Sequence, residues 1–335
     1  MACESTAYAR AGLIGNPSDG YYGKTISFIV RDFAAKVSLY ESPEVEIVPS
    51  LLDRSNYGSV RELVEDVKVH GYYGGIRLMK ATIRRFVEYC DAEGIELPDR
   101  NFSVRYRSTI PRHVGLGGSS ALVTATLRCL MEHYEVDIPK PIQPNVILAV
   151  ETGELGISAG LQDRVIQVYG GCVYMDFDKA LLESQGYGLY EDIDPVLLPN
   201  VFIAYRTDLA EGSEVFHNNI RERWERGDED VVQAMADFAG YAEEVRKLLL
   251  NGRCDEVGPW LDKNFDRRKT LYNISEANLE MVERARAAGA CCKFAGSGGA
   301  IVGTYSDEAT YQRVLQAFEG TVTNVLKPQV VAPRA

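Results

Sequence analysis

The sequence predicts an α+β protein with mixed or antiparallel sheets, and three observations carry that prediction. Strand-like stretches do not alternate strictly with helical ones, as a doubly wound parallel sheet requires. Two glycine clusters, Gly115-Leu-Gly-Gly-Ser-Ser120 and Gly296-Ser-Gly-Gly299, interrupt the regular elements in the middle and near the end of the chain. The chain has 335 residues, 46% hydrophobic and 25% charged, which suffices for two domains or one large domain with two lobes.

In chain order, residues 5–40 read as two strand-like segments around the turn-rich stretch Leu13-Ile-Gly-Asn-Pro-Ser-Asp-Gly20. The second segment, 26–39, is rich in β-branched and aromatic residues. Ile76, Met79, Ile83, Phe86 and Val87 recur at helical spacing, so a helix is expected over 75–92, with Gly94 as its stop. Phe102, Val104 and Tyr106 alternate with Ser103, Arg105 and Arg107, the pattern of a half-buried strand. Residues 122–134 are apolar nearly all round and predict a buried helix. Helices follow near 145–154 and 161–169, then a strand over 172–178 after Gly170-Gly171. The stretch 186–200 is rich in Gly, Asp and Pro and marks a candidate domain boundary. A strand is expected at 201–205, then charged amphipathic helices to about residue 289. Strands at 291–294 and 300–305, a helix near 307–318 and a strand near 321–326 complete the chain.

Composition narrows the function. A net charge of −12 argues against a nucleic-acid or anionic-membrane partner. The N-terminus has neither a basic stretch nor an apolar core, and no apolar run approaches the roughly 20 residues that span a bilayer, so a cytoplasmic protein is expected. The seven cysteines are scattered without a C-x-x-C pair, which suits reduced thiols better than a disulfide framework or a zinc site. His113 reads as an ordinary loop histidine.

The stretch Pro111-Arg-His-Val-Gly-Leu-Gly-Gly-Ser-Ser-Ala121 carries the chemistry. Its glycines let a ligand approach the backbone, and Ser119 and Ser120 are suited to cap the helix that follows. A glycine loop opening a helix presents free N–H groups to phosphate. A plain capped loop has the same residues. The motif lacks the lysine of a P-loop, and no acidic residue stands where a dinucleotide fold needs one.

Four stretches, in order, resemble the galactokinase–homoserine kinase–mevalonate kinase–phosphomevalonate kinase (GHMP kinase) superfamily. They are Ala9-Arg-Ala-Gly-Leu-Ile-Gly-Asn-Pro-Ser-Asp19, residues 111–121, Glu151-Thr-Gly-Glu-Leu-Gly-Ile-Ser-Ala-Gly-Leu-Gln-Asp163, and Lys293-Phe-Ala-Gly-Ser-Gly-Gly-Ala300. Gly-Asn-Pro-Ser-Asp at 15–19, Gly-Tyr-Tyr-Gly-Gly at 71–75, Ala-Gly-Leu-Gln-Asp-Arg at 159–164 and Asn-Phe-Asp at 264–266 are most similar to the glucuronokinase branch. Asn16-Pro17 departs from the Glu-His pair of galactokinases.

The resemblance implies a two-lobed fold, with a ribosomal-protein-S5-like nucleotide-binding domain over 1–190 and a ferredoxin-like domain over 191–335. It implies an ATP- and Mg²⁺-dependent sugar 1-kinase acting on a uronic acid, D-glucuronate first. Galacturonate, a neutral hexose or a heptose phosphate are the alternative substrates, and a non-catalytic sugar sensor is the alternative of another class. Gly115, Leu116, Gly117, Gly118, Ser119 and Ser120 would hold ATP. Ser120 and Glu151 would hold Mg²⁺, with Glu154 one turn on as the competitor. Asp163, twelve residues past Glu151, would take the hydroxyl proton, with Arg10 as its partner. Asp19, Asn16, Gly296, Ser297 and Gly298 would contact the sugar. Arg164, Arg267 and Arg268 are the candidates for the uronate carboxylate, and Tyr72 and Tyr73 for the adenine pocket. The sequence leaves oligomeric state open.

Overall fold

A computed structural model describes residues 2–50, 53, 74–206, 208 and 214–331, with 214–219 described in backbone only. Tyr72 and Tyr73 lie outside the described residues.

The first sheet grows from one long hairpin. Strand β1 (Ala2–Ile14) pairs antiparallel with β2 (Lys24–Ser42), from Ala2 opposite Tyr40 to Ile14 opposite Ile26. The pairing slips at Tyr8/Ala9, where β2 bulges, and this bend lets β2 change partners along its length. A short strand β3 (Glu46–Val48), helix α1 (Gly75–Ala92) and strand β4 (Asn101–Ser108) come next. The outer half of β2 pairs with β4, and β3 joins β4 in parallel. Helix α2 (Gly118–Tyr134) packs against β1, β2 and α1, and its apolar circumference is buried as the sequence predicts. Helix α3 (Gln143–Ala149) runs into a π-helical turn, Val150–Glu154, and a loop leads to α4 (Gln162–Tyr169). Strand β5 (Cys172–Asp176) pairs with the inner half of β2. After α5 (Lys179–Gln185), β6 (Leu189–Ile193) lines up on β5, inside the stretch read as a boundary.

The second sheet is antiparallel and is reached through β7 (Val201–Arg206). Four helices follow: α6 (Glu214–Glu225), α7 (Glu229–Leu250), α8 (Gly258–Lys269) and α9 (Glu276–Ala287). Strands β8 (Cys291–Phe294) and β9 (Ala300–Thr304) form a hairpin around the second glycine cluster. Helix α10 (Glu308–Phe318) starts at Asp307, whose carboxylate caps the Thr310 N–H, and β10 (Thr323–Leu326) closes the order β10-β7-β9-β8.

One apolar core joins the halves. Leu13, Ile26, Phe28, Val123, Val245, Leu261 and Val302 belong to a single buried cluster. Helix α7 lies on β2 and α8 on β1, so the second half of the chain leans directly on the first hairpin. All seven thiols are free and five are buried, serving as small apolar residues. No helix among the described residues is long and apolar enough to cross a membrane.

Candidate active site

The C-terminal part of β1 is where the two glycine clusters meet. Its backbone reaches both: the Arg10 N–H donates to Leu116 O at 3.1 Å and the Gly12 N–H to Ala295 O at 2.8 Å. Gly115 takes φ +65°, and a Cβ there would lie 2.9 Å from Ser297 N and Gly298 O. A side chain at that point would force the two loops apart. Gly117 takes φ +75° and is the N-cap of α2, so the helix begins at Gly118. This corrects the expectation that the serines cap it. Ser119 and Ser120 lie inside the first turn, which frees their hydroxyls for other partners.

Those partners differ from the expected ones. The Ser120 hydroxyl donates to Gly117 O at 3.1 Å, whereas the Ser119 hydroxyl donates to Glu151 Oε1 at 2.5 Å. Of the two serines, Ser119 is the one whose hydroxyl reaches Glu151, the carboxylate that the resemblance pairs with Ser120 as a Mg²⁺ ligand. Glu151 is fully buried at the start of the π turn and is also gripped by Arg164, through Nε at 2.8 Å and through Nη2. Glu154 is paired with Arg84 at 2.8 Å and Arg85 at 2.9 Å on α1 and does not face Glu151's partners. Among the described residues no cluster of three or more His, Cys, Asp or Glu could hold a metal, and Glu151 has the Ser119 hydroxyl on one oxygen and Arg164 on the other.

Arg10 and Asp163 meet as expected. Arg10 Nε and Nη2 donate to the two Asp163 oxygens at 2.5 and 2.6 Å, a forked pair joining β1 to the first turn of α4. The remaining nitrogen, Nη1, donates to Gly115 O at 2.5 Å and Ala295 O at 3.2 Å, one carbonyl from each glycine region. Burial pushes the Asp163 carboxyl up, but the Arg10 charge and hydrogen bonds, with Arg164 and Gln162 adding, hold it below the ordinary carboxylate value.

Asp19 lies on a short 3-10 turn, Ser18–Tyr21, and accepts the Gln162 N–H at 3.2 Å. Burial, then the neighbouring Asp163 charge, push its carboxyl up to about 6. Asn16 is buried and its oxygen accepts from Lys293 Nζ at 2.5 Å, so that atom is committed to the protein. Gly296 and Ser297 present their carbonyls to Arg268 at 2.8 and 3.2 Å, and the Gly299 N–H is held by Asn278. Of the residues expected to contact sugar, Asp19 thus lies near Asp163 and Gly296 beside Arg10, while Asn16 turns its oxygen to Lys293.

Several supporting residues had no assigned role in the sequence. Lys293 is fully buried, donating to Gly12 O and Phe294 O as well as Asn16. Burial, then the charges of Arg268 and Arg10, push its amine well below the ordinary lysine value. Gln167 fastens Gly117 O at 2.8 Å, and Asn264 bonds the backbone of Gly15 and Asn16. Gln162 and Asn264 fall within sequence motifs already noted, the only signal they gave.

A glycine turn at a helix start, a buried carboxylate beside a hydroxyl and an arginine-held aspartate are the kinds of group a phosphotransferase needs for phosphate, cation and hydroxyl. Residues 77–171 match the family of GHMP kinases N terminal domains. The chain is 40% identical to Glucuronokinase 1 of Arabidopsis thaliana, covering 99% of this chain and 93% of that protein. It is 44% identical to Probable glucuronokinase 2 of the same plant, covering 89% and 83%. The crystal structure of Lactococcus lactis galactokinase complexed with galactose matches with a TM-score of 0.79 at 16% identity, covering 99% of this chain and 94% of that one, a likeness of fold. The chain belongs to the GHMP kinase family, and its α+β architecture is that family's fold.

Proposed function

We propose that this chain transfers the γ-phosphoryl group of ATP to the anomeric hydroxyl of D-glucuronate, giving D-glucuronate 1-phosphate and ADP. The observation that carries the chemistry is the forked Arg10–Asp163 pair at the junction of both glycine regions. The two glucuronokinases, matched over most of their length, support the choice of sugar. In this reading residues 1–190, with the rest of β6 to Ile193, form the nucleotide-binding part, and the remainder of the chain closes the cleft. The free thiols accord with a reducing, cytoplasmic setting.

The ATP phosphates lie against the N–H groups of residues 115–120 at the positive end of α2. Asp163 accepts a hydrogen bond from the anomeric hydroxyl and aims its oxygen at the γ-phosphorus. As the new oxygen–phosphorus bond forms, the bond from that phosphorus to the bridging oxygen breaks, and its electron pair leaves on ADP. The hydroxyl proton ends on Asp163. A carboxylate held below its ordinary pKa is a weak base, so its contribution is positioning first and proton acceptance late in a loose transition state. Asp19 offers two acceptor oxygens to ring hydroxyls.

Glu151 Oε1 and the Ser119 hydroxyl are hard oxygen donors of the kind Mg²⁺ takes, an ion that keeps several waters and shares phosphate oxygens, while Glu151 Oε2 is held by Arg164. Glu151 and Ser119 would hold it in the observed side-chain arrangement, with Ser120 as the adjacent hydroxyl. When bound it would neutralise charge on the β- and γ-phosphates.

ADP release measured with D-glucuronate, D-galacturonate, neutral hexoses, heptose phosphates and mevalonate tests the proposal. The highest kcat/KM is expected for D-glucuronate, and no release above that of ATP alone across the panel refutes it.

A further inference from the structure

Three arginines are candidates for the uronate carboxylate, and their partners separate them. Arg267 is engaged by Asp237, with Nε 2.8 Å from Oδ2, and Arg164 by Glu151. Arg268 is different. It is 4% exposed, and among the described residues no carboxylate lies within ion-pair distance of it. Nη1 and Nη2 donate to the carbonyls of Gly296 and Ser297, and the guanidinium lies 5.0 Å from the Tyr272 ring centre and 5.3 Å from that of Phe294. Its Nε–H is buried and has no acceptor among the described residues.

A guanidinium does not escape this position by losing its proton, and a buried cation without an anion is costly. Backbone carbonyls and rings relieve part of that cost, but they carry no net charge. The nearby cations make it worse: the charge of Arg268 is felt at Lys293. The carboxylate that acts on Arg268 electrostatically is Asp19, beyond ion-pair reach. Arg268 is also one helical turn past Asn264, which bonds the backbone of Gly15 and Asn16, so both share the face of α8 turned to the Asp19 loop. The surroundings are thus those of a site awaiting an anion, on the α8 side of the second glycine loop.

We infer that Arg268 is the residue that reads the uronate carboxylate, with its unpartnered Nε–H as a donor, and that it sets the preference for a uronic acid over a neutral hexose. This inference rests on the proposed sugar 1-kinase reaction. With the anomeric hydroxyl on Asp163 and ring hydroxyls on Asp19, the carboxylate is the substituent left for the far end of the pocket. The carbonyls of Gly296 and Ser297 then have a second role: they fix the guanidinium plane before the sugar arrives, so less side-chain freedom is lost on binding.

The test compares D-glucuronate with D-glucuronamide, which keeps the shape and removes the charge, by calorimetry and by ADP release. The native protein is expected to favour glucuronate on the order of 10- to 100-fold, the scale of a charge-assisted, partly forked contact. Arg268→Met should abolish that preference and Arg268→Lys should retain part of it, both with the KM for ATP little changed and folding checked by thermal melt. A native protein that binds the two compounds within threefold overturns the inference without any variant. A folded Arg268→Met protein that keeps the preference, or that loses ATP affinity instead, overturns it as well. A native enzyme that phosphorylates neutral hexoses but no uronate would instead remove the substrate assignment on which the inference rests.

Discussion

Asp163→Asn is the most direct probe of the proposed chemistry, because it keeps the side-chain shape and removes the charge. In the native protein Arg10 spans both carboxylate oxygens at 2.5 and 2.6 Å. The amide leaves one good acceptor for Arg10 and gives the sugar hydroxyl no group that takes its proton. Loss of a positioned proton acceptor typically costs 10²–10⁴ in rate, about 2.7–5.4 kcal/mol at 1.36 kcal/mol per decade. Breaking a buried ion pair costs about 3–5 kcal/mol of stability. Asp163 is 17% exposed and the amide retains one hydrogen bond, so roughly 2 kcal/mol and a melting shift of several degrees are expected. ADP release should fall by at least two decades, while calorimetry still shows ATP binding within about threefold of native. Turnover within threefold of native in a folded variant would refute the role of Asp163.

The raised pKa of Asp19, about 6, sets a pH dependence for sugar binding. Ring hydroxyls that donate to Asp19 favour its ionised form, so at pH 5 binding must expel a proton that is already absent at pH 7. Affinity should therefore rise about tenfold from pH 5 to pH 7, and the uronate carboxyl, with an ordinary pKa near 4, stays ionised throughout. Asp19→Asn should flatten the profile, and a native affinity that is flat or falling over this interval contradicts the assignment. Glu151→Gln should raise the Mg²⁺ concentration for half-maximal rate at least tenfold. Ser119→Ala should act in the same direction more strongly than Ser120→Ala, and the reverse order would return the ligand role to Ser120.

Much of this arrangement was legible in the sequence because its cues are local. The periodicity of residues 75–92 marks α1 to the residue, and the alternation at 102–107 marks β4. Sequence order alone also paired Arg10 with Asp163 through a resemblance, and the side chains meet. What escaped prediction depends on where other parts of the chain come to rest. The helix start at Gly117 is fixed by a left-handed glycine, so the two serines shift from caps to first-turn residues, Ser119 bonding Glu151 and Ser120 the Gly117 carbonyl. Strand β6 is three-fifths polar or charged, Tyr190, Glu191 and Asp192 in Leu189–Ile193, and forms because β5 offers it an edge. The distinction among Arg164, Arg267 and Arg268 is invisible in one dimension, since all three are basic residues in polar motifs. Only their partners, Glu151, Asp237 and two backbone carbonyls, tell them apart.

The single strand that touches both glycine regions also governs when the site can exist. Arg10 is made early, and its partner Ala295 is 285 residues away. A nascent chain that has already folded the β1–β2 hairpin and α2 still lacks the carbonyls of the second loop and the lysine that locks Asn16. During synthesis, which proceeds from the N-terminus, the wall built by the loop after β8 therefore remains unbuilt until β8 and β9 have been made. A molecule that has not reached β8 has the glycine loop at 115–120 without the second loop that packs on it. The contact between Arg10 and Ala295 in this way waits on the synthesis of β8, by the order of the sequence itself.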